Sequence, residues 1–231
     1  MPYSQDYIKR MLEQFGEFLL SLKKLMSEDK QEEAREQLDL AYREALNLEP
    51  EFVRSAPVDY LILSAGISRV GDVDKSLVLS DLLAMDGDWH ALAGDYYTAG
   101  MCYSKAMSVL AESILRQPFG VAKEHLERVS ELEAKIEQYD LPFDTRDRMF
   151  RLHERIGQFA AAEDDLYQLL DLSEGDDELK EHVVDRGVAF YQRLLSLKDH
   201  ELMLGGLPRS EVQEGLEDLM DRDAGEQNDA A

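Results

Sequence analysis

The sequence is poor in cysteine, in basic residues and in β-branched residues. Its one cysteine, Cys102, excludes an internal disulfide and is typical of a reducing compartment. Val, Ile and Thr together number 20 of 231 residues, which is too few for a substantial β-sheet. No apolar run approaches the about 20 residues of a transmembrane helix, and the N-terminus has no continuous hydrophobic segment like that of a signal peptide. We therefore expect a cytoplasmic, all-α protein.

The shortage of basic residues limits the classes of partner. Lys and Arg total 25 against 49 Asp and Glu, which gives a formal net charge of −24. Nucleic acids and anionic membranes are bound by basic surfaces, so this balance argues against both. A cationic partner would be attracted instead. The alternative explanation of the acidity is general solvation or a saline environment, and we favour this alternative over partner selection.

Leucine and alanine, both strong helix formers, dominate the apolar residues, with 35 and 20 copies. Gly and Pro fall mostly between the periodic segments. We predict about 9–10 helices, with Pro50 ending the second helix, Gly87 preceding a long helix over 89–117, and one helix over 177–204. Residues 1–208 are predicted to form a single helical-repeat-like domain, and 209–231 a short helix followed by an acidic, flexible tail.

The first predicted helix, over 3–26, has an amphipathic apolar stripe that includes Phe15 and Phe18. A stripe of this size is rarely left in water. The helix therefore either caps the other helices of the chain or forms the contact of a homodimer, and we favour the cap.

One pattern of Gly, aromatic and Ala residues occurs twice, 63 residues apart. The copies are Gly94-Asp95-Tyr96-x2-Ala99-x3-Tyr103-x2-Ala106 and Gly157-Gln158-Phe159-x2-Ala162-x3-Leu166-x2-Leu169. This spacing predicts a turn followed by a helix that packs closely on its neighbour. The second copy predicts a helical hairpin with Gly157 at its turn. Gly94 is either a turn or an interior residue of the helix over 89–117, and we favour the interior position.

The two copies resemble the second half of a tetratricopeptide repeat. Tyr42-Arg43-Glu44-Ala45-Leu46-Asn47-Leu48-Glu49-Pro50 looks like the end of such a repeat, and Trp89-x2-Leu92-Ala93-x2-Tyr96 looks like its opening. The start of the chain, Asp6-Tyr7-Ile8-Lys9-Arg10-Met11-Leu12-Glu13-Gln14, is similar to that of an uncharacterised family of repeat-like bacterial helical proteins. The first resemblance implies an irregular array of antiparallel helix pairs in a right-handed superhelix, with a concave surface that binds a protein or peptide.

Several residues are candidates for lining that concave surface: Tyr60, Arg69, Trp89, Tyr97, Tyr103 and Lys105. The alternative for the aromatic ones is ordinary packing between helices, which we favour. A second candidate is a basic stripe at helical spacing, Arg148, Arg151 and Arg155. It would either grip a carboxylate or phosphate of a partner, or pair with Asp144 and Asp147 one turn away, and we favour the pairing.

Catalytic patterns are lacking. None of the five histidines completes a zinc-protease motif, and there is no phosphate-binding glycine loop. Glu178, His182 and Asp185 share a helix face, but a solvated flank is the favoured interpretation. We expect no catalytic residue, cofactor or metal site, and an inert, buried Cys102.

The predicted function is a non-catalytic helical-repeat scaffold that binds a protein or peptide partner. The alternatives are a small-ligand-binding or enzymatic protein with a pocket near Trp89, His90 and Tyr103, and a self-assembling structural module.

Overall fold

The computed structural model describes residues 5–67, 73–118 and 120–229, and within them the side chains from 15 to 221 except 73 and 74. Every regular element in these ranges is a helix, and none is a strand, so the all-α prediction is confirmed. The chain forms two compact units, Met1–Thr145 and Arg146–Ala231. The single helical-repeat-like domain over 1–208 stays a prediction.

The first unit is built from seven helices and the start of an eighth. They are α1 (Gln5–Ser27), α2 (Gln31–Leu46), α3 (Pro50–Ser55), α4 (Val58–Ser64), α5 (Val73–Leu92), α6 (Tyr96–Leu115) and α7 (Lys123–Ile136). The helices α5 and α6 form its central pair, against which α1, α2, α4 and α7 pack. Its core is mainly leucine, with Tyr42 and Met107 among the fully buried side chains.

The second unit contains the rest of the helices: α8 (Phe143–Ile156, which begins just before the boundary), α9 (Phe159–Leu172), α10 (Asp177–Leu195), α11 (Asp199–Leu204) and α12 (Arg209–Asp229). Here α10 packs on α9 and α12. Phe190 is at the centre, with its ring centroid 5.3 Å from that of Phe150 and 5.2 Å from that of Tyr191. Val212 and Leu219 of α12 are buried, so this helix is part of the core of the unit.

The helix over 89–117 was predicted wrongly. The chain turns at Gly94, where φ is +78°, and α5 runs through Gly87 to end at Leu92. A residue with a side chain is strained at such a φ, whereas glycine adopts it readily. Gly87 has a different role, because a Cβ at this position would lie 2.5 Å from the ring of Tyr103 on α6. It permits close packing of two helices instead of ending one.

The described residues contain twelve helices, more than the 9–10 predicted. Pro50 begins α3 instead of only ending α2, because proline is well suited to the first turn of a helix, where its missing N–H leaves no bond unmade. The stretch 177–204 is two helices, since Lys198 is extended and its amide donates to Glu201 at the start of a new helix, α11.

The first helix packs on α2 and α5 within its own unit. Leu22, Leu25 and Met26 are buried there, and Phe15 and Phe18 are half-buried with ring centroids 6.1 Å apart. This arrangement corresponds to the cap that the sequence favoured; a homodimer contact stays a prediction.

Within the described ranges, no helix combines the length and the apolar content that crossing a membrane requires.

Candidate functional site

The two copies of the glycine pattern are two helical turns of the same kind. Gly94 joins α5 to α6 and Gly157 joins α8 to α9, each with φ of +78°. The amide that follows each glycine donates to the carbonyl of the residue four positions before the glycine, His90 or His153, at 3.0 and 2.9 Å. In each hairpin a histidine thus lies on the last turn of the first helix.

In the first hairpin, His90 lies beside a carboxylate and a thiol. Asp86 precedes it by one turn on α5, and Cys102 is on α6. One ligand atom from each of the three side chains lies within 4.8 Å of the others, and Asp86 Oδ1 is 3.6 Å from His90 Nε2. Among the residues that the structure describes, no other group of three His, Cys, Asp or Glu side chains is close enough to share a metal ion. The trio on α10 singled out from the sequence does not form such a group.

The Asp86 carboxylate is 0% exposed and is surrounded by donors. Arg35 Nη1 donates to Oδ1, and Arg54 Nε donates to Oδ2 at 3.3 Å. The Tyr42 hydroxyl is 3.5 Å from Oδ2, and its pKa is raised well above the usual value by burial and, next, by the Asp86 charge. A buried carboxylate requires such compensation, because an unpaired charge in the interior costs several kcal/mol.

The two arginines link this carboxylate to a second one. Asp39 pairs with Arg35, at 3.6 Å from Nε, and with Arg54. Lys105 of α6 donates to the carbonyls of Val53 and Arg54 at 3.2 and 2.6 Å, and burial lowers the pKa of this lysine. Four helices, α2, α3, α5 and α6, are thus joined through polar groups inside the first unit.

The two ring nitrogens of His90 have different surroundings. Nδ1 is 3.3 Å from Asp95 Oδ2, and Asp95 also caps α6 by accepting from the Thr98 amide at 3.1 Å. The Thr98 hydrogen bonds, together with His90, lower the pKa of Asp95. Nε2 is buried and has no hydrogen-bond partner. The Asp95 carboxylate orients the ring, so that Nε2 is directed into the protein towards Asp86 Oδ1.

Cys102 is 5% exposed, in agreement with the prediction of a buried thiol. Burial, and next the charge of Asp86, raise its pKa to about 12. It is therefore a protonated thiol near neutral pH and not a nucleophile.

The second hairpin has a carboxylate at the position of this thiol. His153 and Asp165 are 63 residues after His90 and Cys102. His153 Nδ1 is 2.6 Å from Asp165 Oδ2, and Arg146 Nη1 is 2.7 Å from Asp165 Oδ1. The sequence named His90 as part of a candidate pocket but did not relate it to His153, because the pattern was taken to begin at the glycine. Extending it four residues towards the N-terminus would have shown a histidine in both copies.

Three of the candidate partner-binding residues, Trp89, Tyr103 and Lys105, are buried or half-buried and contact neighbouring helices. Trp89 Nε1 donates to the Gln31 carbonyl at 2.9 Å, and the Arg35 guanidinium lies 4.6 Å from the Trp89 ring centroid. The buried Tyr103 donates to Asp88 at 2.7 Å. With Lys105 bonded to backbone carbonyls, these residues make the interhelical contacts that the packing interpretation describes.

Two of the candidates are on the surface: Tyr60 of α4 is 63% exposed and Tyr97 of α6 is 82% exposed. Arg69 lies outside the described residues. Tyr97 lines a pocket of about 480 Å³ together with Tyr96, Gly100, Met101, Gln138, Tyr139 and Asp140.

The arginine stripe is on α8 in the second unit, with Arg148 partly buried and Arg151 and Arg155 exposed. Arg151 Nη1 is 3.9 Å from Asp147 Oδ2, so this predicted helical ion pair is present. Asp147 also accepts from Arg186 of α10. These contacts correspond to the interpretation of the stripe as ion pairs.

Comparison with known proteins gives one result. Residues 2–223 match the model of a family of unknown function, DUF6483. No curated protein and no solved structure matches the chain. The predicted similarity to an uncharacterised family is confirmed at this level. Since the match extends over nearly the whole sequence, the chain belongs to the DUF6483 family.

Proposed function

We propose that the protein is a non-catalytic helical scaffold that binds a cationic segment of a protein or peptide partner at the pocket beside Tyr97. The observation that carries the proposal is a group of tyrosines at one end of α6. Tyr96 and Tyr97 are exposed, although large aromatic side chains are usually buried. The tetratricopeptide-like superhelix implied by the sequence resemblance belongs to the same proposal.

One side of the pocket beside Tyr97 is formed by the Tyr139 ring, which packs closely against α6. A Cβ at Gly100 would lie 2.8 Å from Tyr139 Cδ1, so the absence of a side chain at this position lets the Tyr139 ring lie against α6. The Tyr139 ring centroid is also 5.7 Å from that of Tyr103. The Tyr139 hydroxyl is buried and has no hydrogen-bond partner within the described part of the chain. A guanidinium or ammonium group would supply the missing donor.

Charge favours a cationic occupant over an anionic one. Asp140 lines the pocket, and the chain as a whole has a net charge of −24. Tyrosine rings attract cations at their faces, which contributes about 0.5–1 kcal/mol at exposed positions. The acidic field would also speed the approach of a basic segment.

The test is the affinity of the full chain for a short Arg/Gly peptide, with a Glu/Gly peptide of the same length as the charge control. We expect binding of the first peptide alone, weakened by added salt. Tyr97→Ala should lower the affinity about two- to fivefold, from the cation–π contribution. Tyr60→Ala is the matched control, because Tyr60 is an exposed tyrosine on another helix that does not line the pocket.

Equal effects of the two substitutions would show that the pocket is not the binding site. Equal binding of the two peptides, or of neither, would overturn the proposal of a cationic partner.

A further inference from the structure

We propose that Asp86, His90 and Cys102 bind a divalent transition-metal ion of the zinc class, with a fourth coordination position open to water or a small ligand. Carboxylate, imidazole and thiolate are all zinc ligands, and three protein ligands with one open position are typical of non-structural zinc sites. This site is independent of the pocket beside Tyr97.

The positions of the ligand atoms fit a small tetrahedral ion. Zinc lies about 2.0–2.3 Å from such ligands, which places the ligand atoms about 3.3–3.8 Å from one another. The distance of 3.6 Å between Asp86 Oδ1 and His90 Nε2 is within that range. One ligand atom of each of the three residues lies within 4.8 Å of the others, so shifts of about 1 Å would complete the geometry.

The surroundings of His90 are those of a metal ligand. In metal sites, the second nitrogen of a ligating histidine usually donates to a carboxylate or carbonyl, which orients the ring. Asp95 occupies that place, 3.3 Å from Nδ1, and is itself fixed as the cap of α6. The remaining atom, Nε2, is buried without a hydrogen-bond partner. A bound cation would satisfy it.

A bound ion would have two anionic partners of its own, and the Lys105 ammonium is a further cation close to Cys102. Asp39 and Asp86 are neutralised by Arg35 and Arg54, with which they form ion pairs. A divalent cation would then be neutralised by the Cys102 thiolate and by Asp95. The thiol proton leaves to solvent when the cation binds.

The two arginines that pair with Asp86 lower the expected affinity for a metal ion, but they leave the carboxylate able to coordinate one. A carboxylate oxygen has two lone pairs, so Oδ1 can accept from Arg35 and still coordinate an ion. Because the guanidinium groups withdraw charge from Asp86, we expect weaker binding than in structural zinc sites. The His90 side chain is 14% exposed and gives the ion a path from solvent.

The second hairpin has a related arrangement in which a carboxylate replaces the thiol. There the position of Cys102 is occupied by Asp165, whose two oxygens pair with His153 and Arg146. The carboxylate takes the place that the cation and thiolate would fill in the first hairpin.

The test uses Co²⁺ as a spectroscopic substitute for Zn²⁺ on the full chain, after treatment with a chelator and under reducing conditions. Since Cys102 is the only cysteine in the sequence, a near-ultraviolet sulfur-to-cobalt band can come only from this residue. We expect the band to saturate at about one Co²⁺ per chain and to disappear when Zn²⁺ is added.

Three variants distinguish this site from other binding. Cys102→Ser, which is nearly isosteric, should abolish the band. Asp95→Asn should weaken Co²⁺ binding about 10- to 100-fold, as is typical of outer-shell partners. His182→Gln removes an exposed histidine of α10 and should change nothing.

The proposal is overturned if the unmodified protein binds Co²⁺ without a sulfur-to-cobalt band or does not bind it at all. That result is obtained on the native chain and does not depend on any variant folding. An equal loss of affinity in His182→Gln and Asp95→Asn would overturn it as well.

Discussion

The α5/α6 and α8/α9 hairpins begin from the same turn and differ in their interiors. Both have a glycine with φ of +78° and a histidine four residues before it. In the first hairpin the helix pair is brought close by Gly87, and its polar groups extend to α2 and α3. In the second, the position equivalent to Gly87 is Phe150. There Asp165 contacts Arg146 and His153, which are only 19 and 12 residues away in sequence.

This difference shows that a repeated turn does not require a repeated core. The turn is determined by the backbone of a few residues, whereas the interior depends on which distant segments reach it. Arg35 and Asp86 are separated by 51 residues, but Arg146 and Asp165 by only 19. A buried carboxylate in each hairpin is therefore neutralised by different means.

The largest expected effect comes from removing the charge of each buried carboxylate. Asp86→Asn leaves Arg35 and Arg54 to share the single charge of Asp39, and should lower the free energy of unfolding by about 3 kcal/mol. Asp165→Asn leaves a single guanidinium, that of Arg146, and should cost about 3 kcal/mol. Urea denaturation followed by circular dichroism measures both.

The control for this pair is Asp185→Asn, since Asp185 is exposed on α10. It should change the free energy of unfolding by less than about 0.5 kcal/mol. If Asp86→Asn is no more harmful than this control, the first hairpin does not depend on its buried carboxylate.

The next largest effect tests whether the turns at Gly94 and Gly157 contribute equally to the free energy of unfolding. Gly94→Ala and Gly157→Ala should each cost about 1–2 kcal/mol, because alanine is strained at a positive φ. A Cβ at either glycine meets nothing within 4 Å, so the cost is that of the backbone alone and should be the same in both hairpins. Thermal and urea denaturation of the two variants give the comparison.

Gly120→Ala is the matched control, since a Cβ there also meets nothing and its φ is outside the strained region. Its stability should stay close to that of the parent protein. Unequal costs for Gly94 and Gly157 would mean that the two turns are not energetically equivalent.

The smallest expected effect on stability concerns the N-cap residues that follow the two turns. Asp95 accepts from the Thr98 amide, whereas Gln158 makes no side-chain capping bond. Asp95→Ala should therefore cost about 0.5–2 kcal/mol, and Gln158→Ala nearly nothing. Both are read as shifts of the urea midpoint in metal-free buffer, and equal shifts would contradict the assigned role of Asp95.

Local sequence patterns predicted most helices of this protein, including α8 and α9, whose apolar spacing and turn glycine are close together in sequence. They failed at Gly87 and Gly94, since both are glycines followed by aspartate. What separates them is the Tyr103 ring packed on Gly87, a tertiary contact that spacing cannot show.

The buried polar group could be predicted only in part. The histidine before each glycine is visible in the sequence once the two copies are aligned over a longer stretch. The partners of Asp86 are not visible, because Arg35 and Arg54 are on other helices and look like ordinary surface charges in their own segments. Their burial follows from how α2 and α3 pack, which no local pattern specifies.

The isolation of Cys102 has a practical consequence for finding the partner. The sequence has no second cysteine, and this one is buried with its thiol protonated near neutral pH. A cysteine introduced at an exposed position beside the pocket, such as Gln138→Cys, would thus be the fast-reacting thiol of the chain. A photo-crosslinker or fluorophore could be attached there with little background labelling, and the native residue need not be removed first.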